Sequence, residues 1–277
     1  MNEELHTYLR YKKQFPTVWC AGCGIGTVMN VLVKTIQELD YAQDDVVVVS
    51  GIGCSSRMPV YLDFNTLHTT HGRAIAFATG IKMFRPELKV IVITGDGDGL
   101  AIGGNHLIHA CRRNLDLTVV LINNFIYGMT GGQVSPSTPL GSYCYTSPYG
   151  NLEQPFDVVE IAKGAGATFI ARSTSYHVMQ LKQYLRQALE HKGFSIIDIL
   201  AQCPTLYGRL NKSGNAVEML KWLKSHSIPL AAAKKKKPEE LKNKYVTGVF
   251  RDDDSKREYT EVYWELVRRL HGTESEE

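Results

Sequence analysis

Residues 90–133 read VIVITGDGDGLAIGGNHLIHACRRNLDLTVVLINNFIYGMTGGQ, and the order of residue types in this stretch decides the fold. An apolar run, Val90–Thr94, stops at a glycine-rich turn, Gly95-Asp-Gly-Asp-Gly99. Asn105–Arg113 then carries apolar residues at helical spacing, and a second apolar run, Leu117–Ile122, stops at Asn123-Asn124. Both runs are rich in β-branched residues and too short for helices, so they read as buried parallel strands joined by a crossover helix. The same alternation continues outward. Val46–Ser50, Thr168–Ala171 and Ser195–Leu200 read as further strands, and Thr27–Leu39, Ala74–Phe84, Val158–Lys163 and Tyr176–His191 as helices. This pattern predicts an α/β fold with an open, doubly wound, mainly parallel sheet. Two glycine loops, Gly51-Ile-Gly53 and Gly95–Gly99, begin where strands end, at the edge where such sheets bind ligands. They are expected to form one shared site.

Past about residue 210 the alternation weakens. A short helix around Val217–Lys224 and the basic run Lys234–Lys237 before Pro238 are followed by a last amphipathic helix, Tyr259–Leu270. Residues 1–210 are therefore read as one α/β domain and 211–277 as a C-terminal extension serving subunit contact. The Lys234–Lys237 run reads as a solvated linker, or as a basic strip that guides an acidic electron carrier.

The chain has 277 residues, 44% of them hydrophobic, enough for a large core without disulfides. With 31 basic against 28 acidic residues the net charge is only +3, too balanced to imply nucleic acid. Residues 1–14 hold no apolar leader segment, and no apolar run reaches the roughly 18 residues that span a bilayer. A soluble, cytoplasmic protein with no membrane partner is expected. Six cysteines, two of them as Cys20-x-x-Cys23, then point to metal or redox chemistry in a reducing compartment.

Gly-Asp-Gly alone is an ordinary turn. With Asn-Asn following about 30 residues later, and Tyr127-Gly-Met-Thr-Gly-Gly-Gln133 after that, the segment resembles the motif of thiamine-diphosphate enzymes. A nicotinamide-binding unit fits less well, because Gly22, Gly24 and Gly26 do not match G-x-G-x-x-G after a first strand. The resemblance has a chemical rationale. A diphosphate takes Mg²⁺, which wants carboxylate, amide and carbonyl oxygens in octahedral array. A strand-helix-strand unit brings Asp96 and Asn124 side by side, so that both hold one ion with the backbone carbonyl of Ile126. Gly95, Gly97 and Gly99 allow close approach of phosphate, and the helix beginning near Gly104 offers its positive end. The resemblance also places Gly53, Ser55, Asp98, Tyr127, Gly128, Met129 and Thr130 around the cofactor.

Cys20-Ala-Gly-Cys23 lies in a glycine-rich turn before a helix, where backbone N–H groups favour thiolate. Cys54 follows the first strand in Gly51-Ile-Gly-Cys-Ser-Ser-Arg57, and Cys203-Pro204 follows the last. A tetrahedral zinc also accepts four thiolates. Together the three segments resemble the cluster-binding pattern of the β subunits of 2-oxoacid:ferredoxin oxidoreductases, over about residues 15–210. By that resemblance Cys20, Cys23, Cys54 and Cys203 bind one 4Fe-4S cluster. Cys111, in a helical pattern, reads as a core residue, and Cys144 receives no role.

Other positions carry two readings. His71, in Leu67-His-Thr-Thr-His-Gly-Arg73, is a cofactor contact or a structural histidine. Ser55 and Ser56 donate to phosphate or cap a turn. Arg57 pairs with a substrate carboxylate or is a surface arginine. Thr130 and Gln133 face the reactive side of the cofactor or are plain turn residues.

The resemblance implies oxidative decarboxylation of a 2-oxoacid to an acyl-coenzyme A, with electrons passing through the cluster to ferredoxin. The pattern is most like enzymes acting on 2-oxoglutarate, with pyruvate and branched-chain 2-oxoacids as the alternatives. A nonoxidative thiamine enzyme with structural zinc is the reading from another class. The family's activating glutamate sits on a separate pyrimidine-binding domain. Only one nucleotide-type α/β unit is visible here, so an α subunit is expected to supply it.

Overall fold

A computed structural model describes residues 6–10 and 16–272. Residues 1–5 and 11–15, most of the stretch read for a leader, lie outside the described residues, as do 273–277. In chain order the elements are α1 (Gly24–Glu38), β1 (Val46–Ser50), β2 (Asn65–His68), α2 (Ala74–Phe84), β3 (Lys89–Gly95), α3 (Gly104–Arg113) and β4 (Thr118–Asn123). They continue with α4 (Val158–Ala165), β5 (Phe169–Thr174), α5 (Val178–Glu190), β6 (Ser195–Leu200), α6 (Ala216–His226) and β7 (Ser227–Pro229). Two single-turn helices, α7 (Leu230–Ala233) and α8 (Pro238–Leu241), then β8 (Tyr245–Asp252) and α9 (Tyr259–Leu270), complete the chain. Among the described residues eight strands make one sheet in the order β2-β1-β3-β4-β6-β5-β8-β7. All pairings are parallel except β5 with β8.

Both faces of the sheet are covered, which is why its strands read as continuous apolar runs. Val46, Val48, Ile91, Ile93, Val120 and Ile122 point to one face, where Val28, Leu32 and Ile36 of α1 and Leu181 and Leu185 of α5 pack on them. Their neighbours Val47, Val49, Val90, Val92, Val119 and Leu121 point to the other, under Ile75 and Ala78 of α2, Leu107 of α3 and Val159 of α4. The doubly wound, mainly parallel fold expected above is what forms. All five expected strands are present with ends shifted by at most a few residues, and α2 and α9 have the expected bounds.

The differences lie at the sheet's two edges. Asn65–His68 pairs with β1 as an edge strand. The C-terminal extension supplies β7 and β8, so the sheet runs on beyond residue 210. Phe169 of β5 pairs with Asp252 of β8, and a register shift follows at Ile170/Ala171.

Register is what positions the site. Ser50 lies beside Ile93, Gly95 beside Ile122 and Asn123 beside Leu200. The loops after β1, β3, β4 and β6 therefore leave the sheet along one carboxyl edge. The chain passes from β1 to β2 on one side and then to β3 on the other, so the crevice between β1 and β3 is the switch point of the winding.

Candidate functional site: a cleft beside four thiols

A cleft opens over that switch point. Its lining includes Gly53, Ser55, His71, Gly95, Asp96, Gly97, Asp98, Asn124, Ile126, Tyr127, Gly128, Met129 and Thr130, with Cys54 at one side. Most of the residues expected around the cofactor thus gather in one place, while Gly99 and Ser56 do not line it. Arg57 and Gln133 do not line it. Arg57 is exposed on the turn after Cys54, and Gln133 is half-buried with its side chain tied to Thr130.

After β3 the backbone takes one turn of π-helix, Gly97–Ile102, before α3 begins. Such wide turns recur at functional sites because they displace side chains from helical register. Here the turn buries Asp96 and Asp98 side by side with different partners. Asp96, 2% exposed, accepts from Ser135 Oγ at 2.5 Å and Ser137 Oγ at 2.7 Å, both through Oδ2. Burial pushes its carboxyl above the ordinary value, against the pull of the two hydroxyls. Its Oδ1 faces Asn124. One terminal atom of the Asn124 amide lies 2.8 Å from the Ile126 carbonyl oxygen and 3.3 Å from Asp96 Oδ1. With oxygen in that position, three oxygens converge with no proton between them, a donor set that a hard cation satisfies. With nitrogen there, the amide donates to both acceptors. Asp96, Asn124 and Ile126 are the three residues expected to hold Mg²⁺, and their oxygens fit it.

Asp98 is a brace. Its Oδ1 accepts the backbone N–H of Gly72 at 2.7 Å and of Ile52 at 3.2 Å, and its Oδ2 accepts from Thr94 Oγ1 at 2.8 Å. His71 Nδ1 stands 2.6 Å from Oδ1. A carboxylate oxygen there only accepts, so Nδ1 carries the proton and Nε2 remains for the cleft. One buried carboxylate thereby ties together the loops after β1, β2 and β3. The wall opposite is Tyr127, whose hydroxyl donates to the Gly97 carbonyl at 2.8 Å.

The four cysteines reach the same edge from three directions. Cys20 and Cys23 precede α1, with Cys23 N–H donating to Cys20 O at 3.0 Å. Trp19 Nε1 donates to Cys54 O at 2.7 Å, joining that turn to the loop after β1. Gln202 joins it to the loop after β6, donating to Gly22 O at 3.0 Å and accepting from Gly24 N–H at 3.1 Å through its own carbonyl. Gly22, at φ 77°, could not carry a side chain, since a Cβ would lie 2.3 Å from that of Ala216. Backbone N–H groups of Ile25 and of Leu206 and Tyr207 point at Cys23 and Cys203.

Burial above all, with the neighbouring sulfurs adding to it, raises the Cys23 thiol to about 12 and the Cys54 thiol to about 11. Gly128 lies where the cleft meets the thiols: it lines the cleft with Cys54, and a Cβ there would lie 3.3 Å from Cys54 Sγ and 4.0 Å from Cys203 Sγ. Cys111 and Cys144 are buried elsewhere. Cys111 is a core residue of α3, as expected.

Sequence reasoning missed Ser135 and Ser137. They lie 39 and 41 residues from Asp96 and belong to no motif, and only the Ser-rich turn Ser135-Pro-Ser-Thr138 hinted at a polar role. It also left open that Asp98 holds His71.

Comparison with known proteins agrees with this geometry. Residues 20–199 match the family described as thiamine pyrophosphate enzyme, C-terminal TPP binding domain. The chain is 52% identical over 268 residues to the 2-oxoglutarate synthase subunit KorB of Methanocaldococcus jannaschii, covering 96% of this chain and 99% of that one. It is 45% identical over 195 residues to the β subunit of 2-oxoacid:ferredoxin oxidoreductase 1 of Aeropyrum pernix, covering 70% of this chain and 61% of that one. Among solved structures, the 2-oxoglutarate:ferredoxin oxidoreductase from Magnetococcus marinus superposes with a TM-score of 0.85 at 33% identity, over 96% of this chain and 90% of that one. That structure holds 2-oxoglutarate, coenzyme A and succinyl-CoA. With the cleft, its converging oxygens and the thiols beside it, these likenesses show that the chain belongs to the 2-oxoacid:ferredoxin oxidoreductase β subunits, a family of thiamine-pyrophosphate enzymes.

Proposed function

We propose that this chain, paired with an α subunit, oxidises 2-oxoglutarate to succinyl-CoA and passes the electrons through a 4Fe-4S cluster to ferredoxin. The observation that carries the proposal is the junction at Gly128, which lines the cleft together with Asp96, Asn124, Ile126 and Cys54 and where an added Cβ would lie 3.3 Å from Cys54 Sγ and 4.0 Å from Cys203 Sγ. When bound, thiamine diphosphate supplies an electron sink for decarboxylation, and a cluster accepts electrons singly. The protein's part is placement. Asp96, Asn124 and the Ile126 carbonyl hold Mg²⁺, with Ser135 and Ser137 fixing the Asp96 carboxylate so that one oxygen stays free for the ion. Gly53, Ser55, Gly95 and Gly97 give close backbone approach to the diphosphate. Cys20, Cys23, Cys54 and Cys203 hold the cluster, with the Ile25, Leu206 and Tyr207 N–H groups donating to its sulfurs.

His71, fixed by Asp98, contacts the cofactor with Nε2. Thr130 and Gln133 stiffen the loop that leads from Gly128. Arg57 is assigned to the second carboxylate of the substrate. Among the described residues no helix is long and apolar enough to cross a membrane, in keeping with work in the cytoplasm. The extension, residues 211–277, contributes subunit contact.

Anaerobic purification with the α subunit tests this reading. The expected result is four irons per αβ pair and reduction of a dye with 2-oxoglutarate and coenzyme A, faster than with pyruvate. A colourless zinc protein would overturn it, as would robust turnover by the isolated chain.

A further inference from the structure

We infer that His191, Asp252 and Asp254 form a tetrahedral cation site of the zinc class, on the sheet edge away from the cleft, that fastens the C-terminal strand to the domain. Their ligand atoms converge within 4.8 Å. The argument begins with Asn114, fully buried at the end of α3. Its amide nitrogen donates to the carbonyls of Lys256 and Arg257 at 3.0 and 3.2 Å, which fixes its oxygen on the other side. That oxygen accepts from Phe194 N–H at 2.9 Å and from Thr168 Oγ1 at 2.7 Å. The single hydroxyl proton of Thr168 is thus committed to an acceptor, whether Asn114 Oδ1 or the Phe194 carbonyl 3.2 Å away. His191 Nε2, 2.8 Å from Thr168 Oγ1, must then be the donor of that contact.

The tautomer is settled by this chain of bonds. With Nε2 donating to Thr168, Nδ1 of His191, whose side chain is only 2% exposed, faces two carboxylates, Asp254 Oδ1 at 3.3 Å and Asp252 Oδ1 at 3.5 Å. A ring nitrogen and two carboxylate oxygens facing one point call for a positive charge among them. Both nitrogen-to-oxygen spacings match the edge of a tetrahedron with bonds near 2.1 Å, which is about 3.4 Å long, the geometry of zinc bound by imidazole and carboxylate.

The two aspartates are presented by a built turn. Asp253 N–H donates to Thr168 O at 3.0 Å, and the Asp253 carboxylate accepts from Ser255 N–H and Oγ. Asp252 ends β8 and pairs with Phe169 of β5. An ion held here links the end of β8 to the connection between α5 and β6, with water in the fourth position.

The test is equilibrium dialysis of the cluster-loaded αβ complex against micromolar Zn²⁺, with zinc and iron counted in the same samples. Wild type should hold one more zinc per αβ pair than Asp254→Asn at equal iron, with affinity at least tenfold weaker in the variant. Zinc should also raise the melting temperature of wild type and not of the variant. Asp254 is largely exposed, so its replacement leaves the fold intact, and His191→Gln serves as a second variant. Equal zinc in wild type and Asp254→Asn would overturn the site, as would equal melting shifts.

Discussion

The ring of Tyr127 occupies the space a side chain on Gly97 would need: a Cβ at residue 97 would lie 2.3 Å from the ring. The two are also bonded, Tyr127 hydroxyl to Gly97 carbonyl at 2.8 Å. Gly97→Ala must therefore push the tyrosine aside and break that bond. The expected cost is about 1–3 kcal/mol of stability, the range for overpacking a filled site, with weaker thiamine-diphosphate binding. Denaturant unfolding and cofactor titration of the αβ complex check both.

Removing the brace at Asp98 should loosen three loops at once. Asp98→Ala strips acceptors from Gly72, Ile52 and Thr94 and frees His71. Charge-assisted bonds of this kind are worth roughly 1.5–3 kcal/mol each. Cofactor affinity should fall at least tenfold while iron content stays at the wild-type value, which separates this lesion from damage to the thiol site.

Ser135→Ala and Ser137→Ala each remove one hydroxyl from Asp96. One hydrogen bond to a charged group corresponds to about 1.5–3 kcal/mol. Each variant should need at least tenfold more Mg²⁺ for half-maximal cofactor binding. The Mg²⁺ dependence is the measurement, because a purely structural role would leave it unchanged.

Cys54→Ser and Cys203→Ser should abolish or sharply lower bound iron and the visible absorption of the cluster. Cys144→Ala, buried away from the quartet, should leave both unchanged.

The acid limb of stability should depend on Asp157. This residue caps α4 through bonds to Val159 and Glu160 N–H and pairs with Arg172 at 2.7 Å. Burial raises its carboxyl, but the Arg172 charge together with the hydrogen bonds from Arg172 and from the Glu160 and Val159 N–H groups holds it below the usual carboxylate range. A carboxyl lowered in the folded state adds stability that is full above the unfolded pKa of about 4 and disappears as pH falls through the lower folded value. Asp157→Asn keeps a capping side chain and loses the charge. It should flatten stability against pH below about 4, read from thermal melts across the acid range.

Much of this was legible because the relevant signals are local. Apolar runs located β1, β3, β4 and β6, two of them ending at glycine loops, and parallel winding alone brought Asp96, Asn124 and Cys203 to one edge. The strands that sequence did not reveal lack such signals. Asn65–His68 is short and solvent-facing, and Tyr245–Asp252 is broken by Gly248 and follows a lysine-rich stretch. Their pairing is decided by partners far along the chain. The hydroxyls on Asp96 and the brace at Asp98 were hidden for the same reason, since each joins loops that no spacing rule connects. Arg57 and Gln133 do not line the cleft; they sit on turns beside residues that do.

Gly128 has a consequence for how the two halves of the site can vary. Because the backbone there comes up to the Cys54 and Cys203 sulfurs with only a bare α-carbon, any bulkier residue would crowd those sulfurs and narrow the cleft at once. Variation at this position cannot therefore be confined to one half of the site.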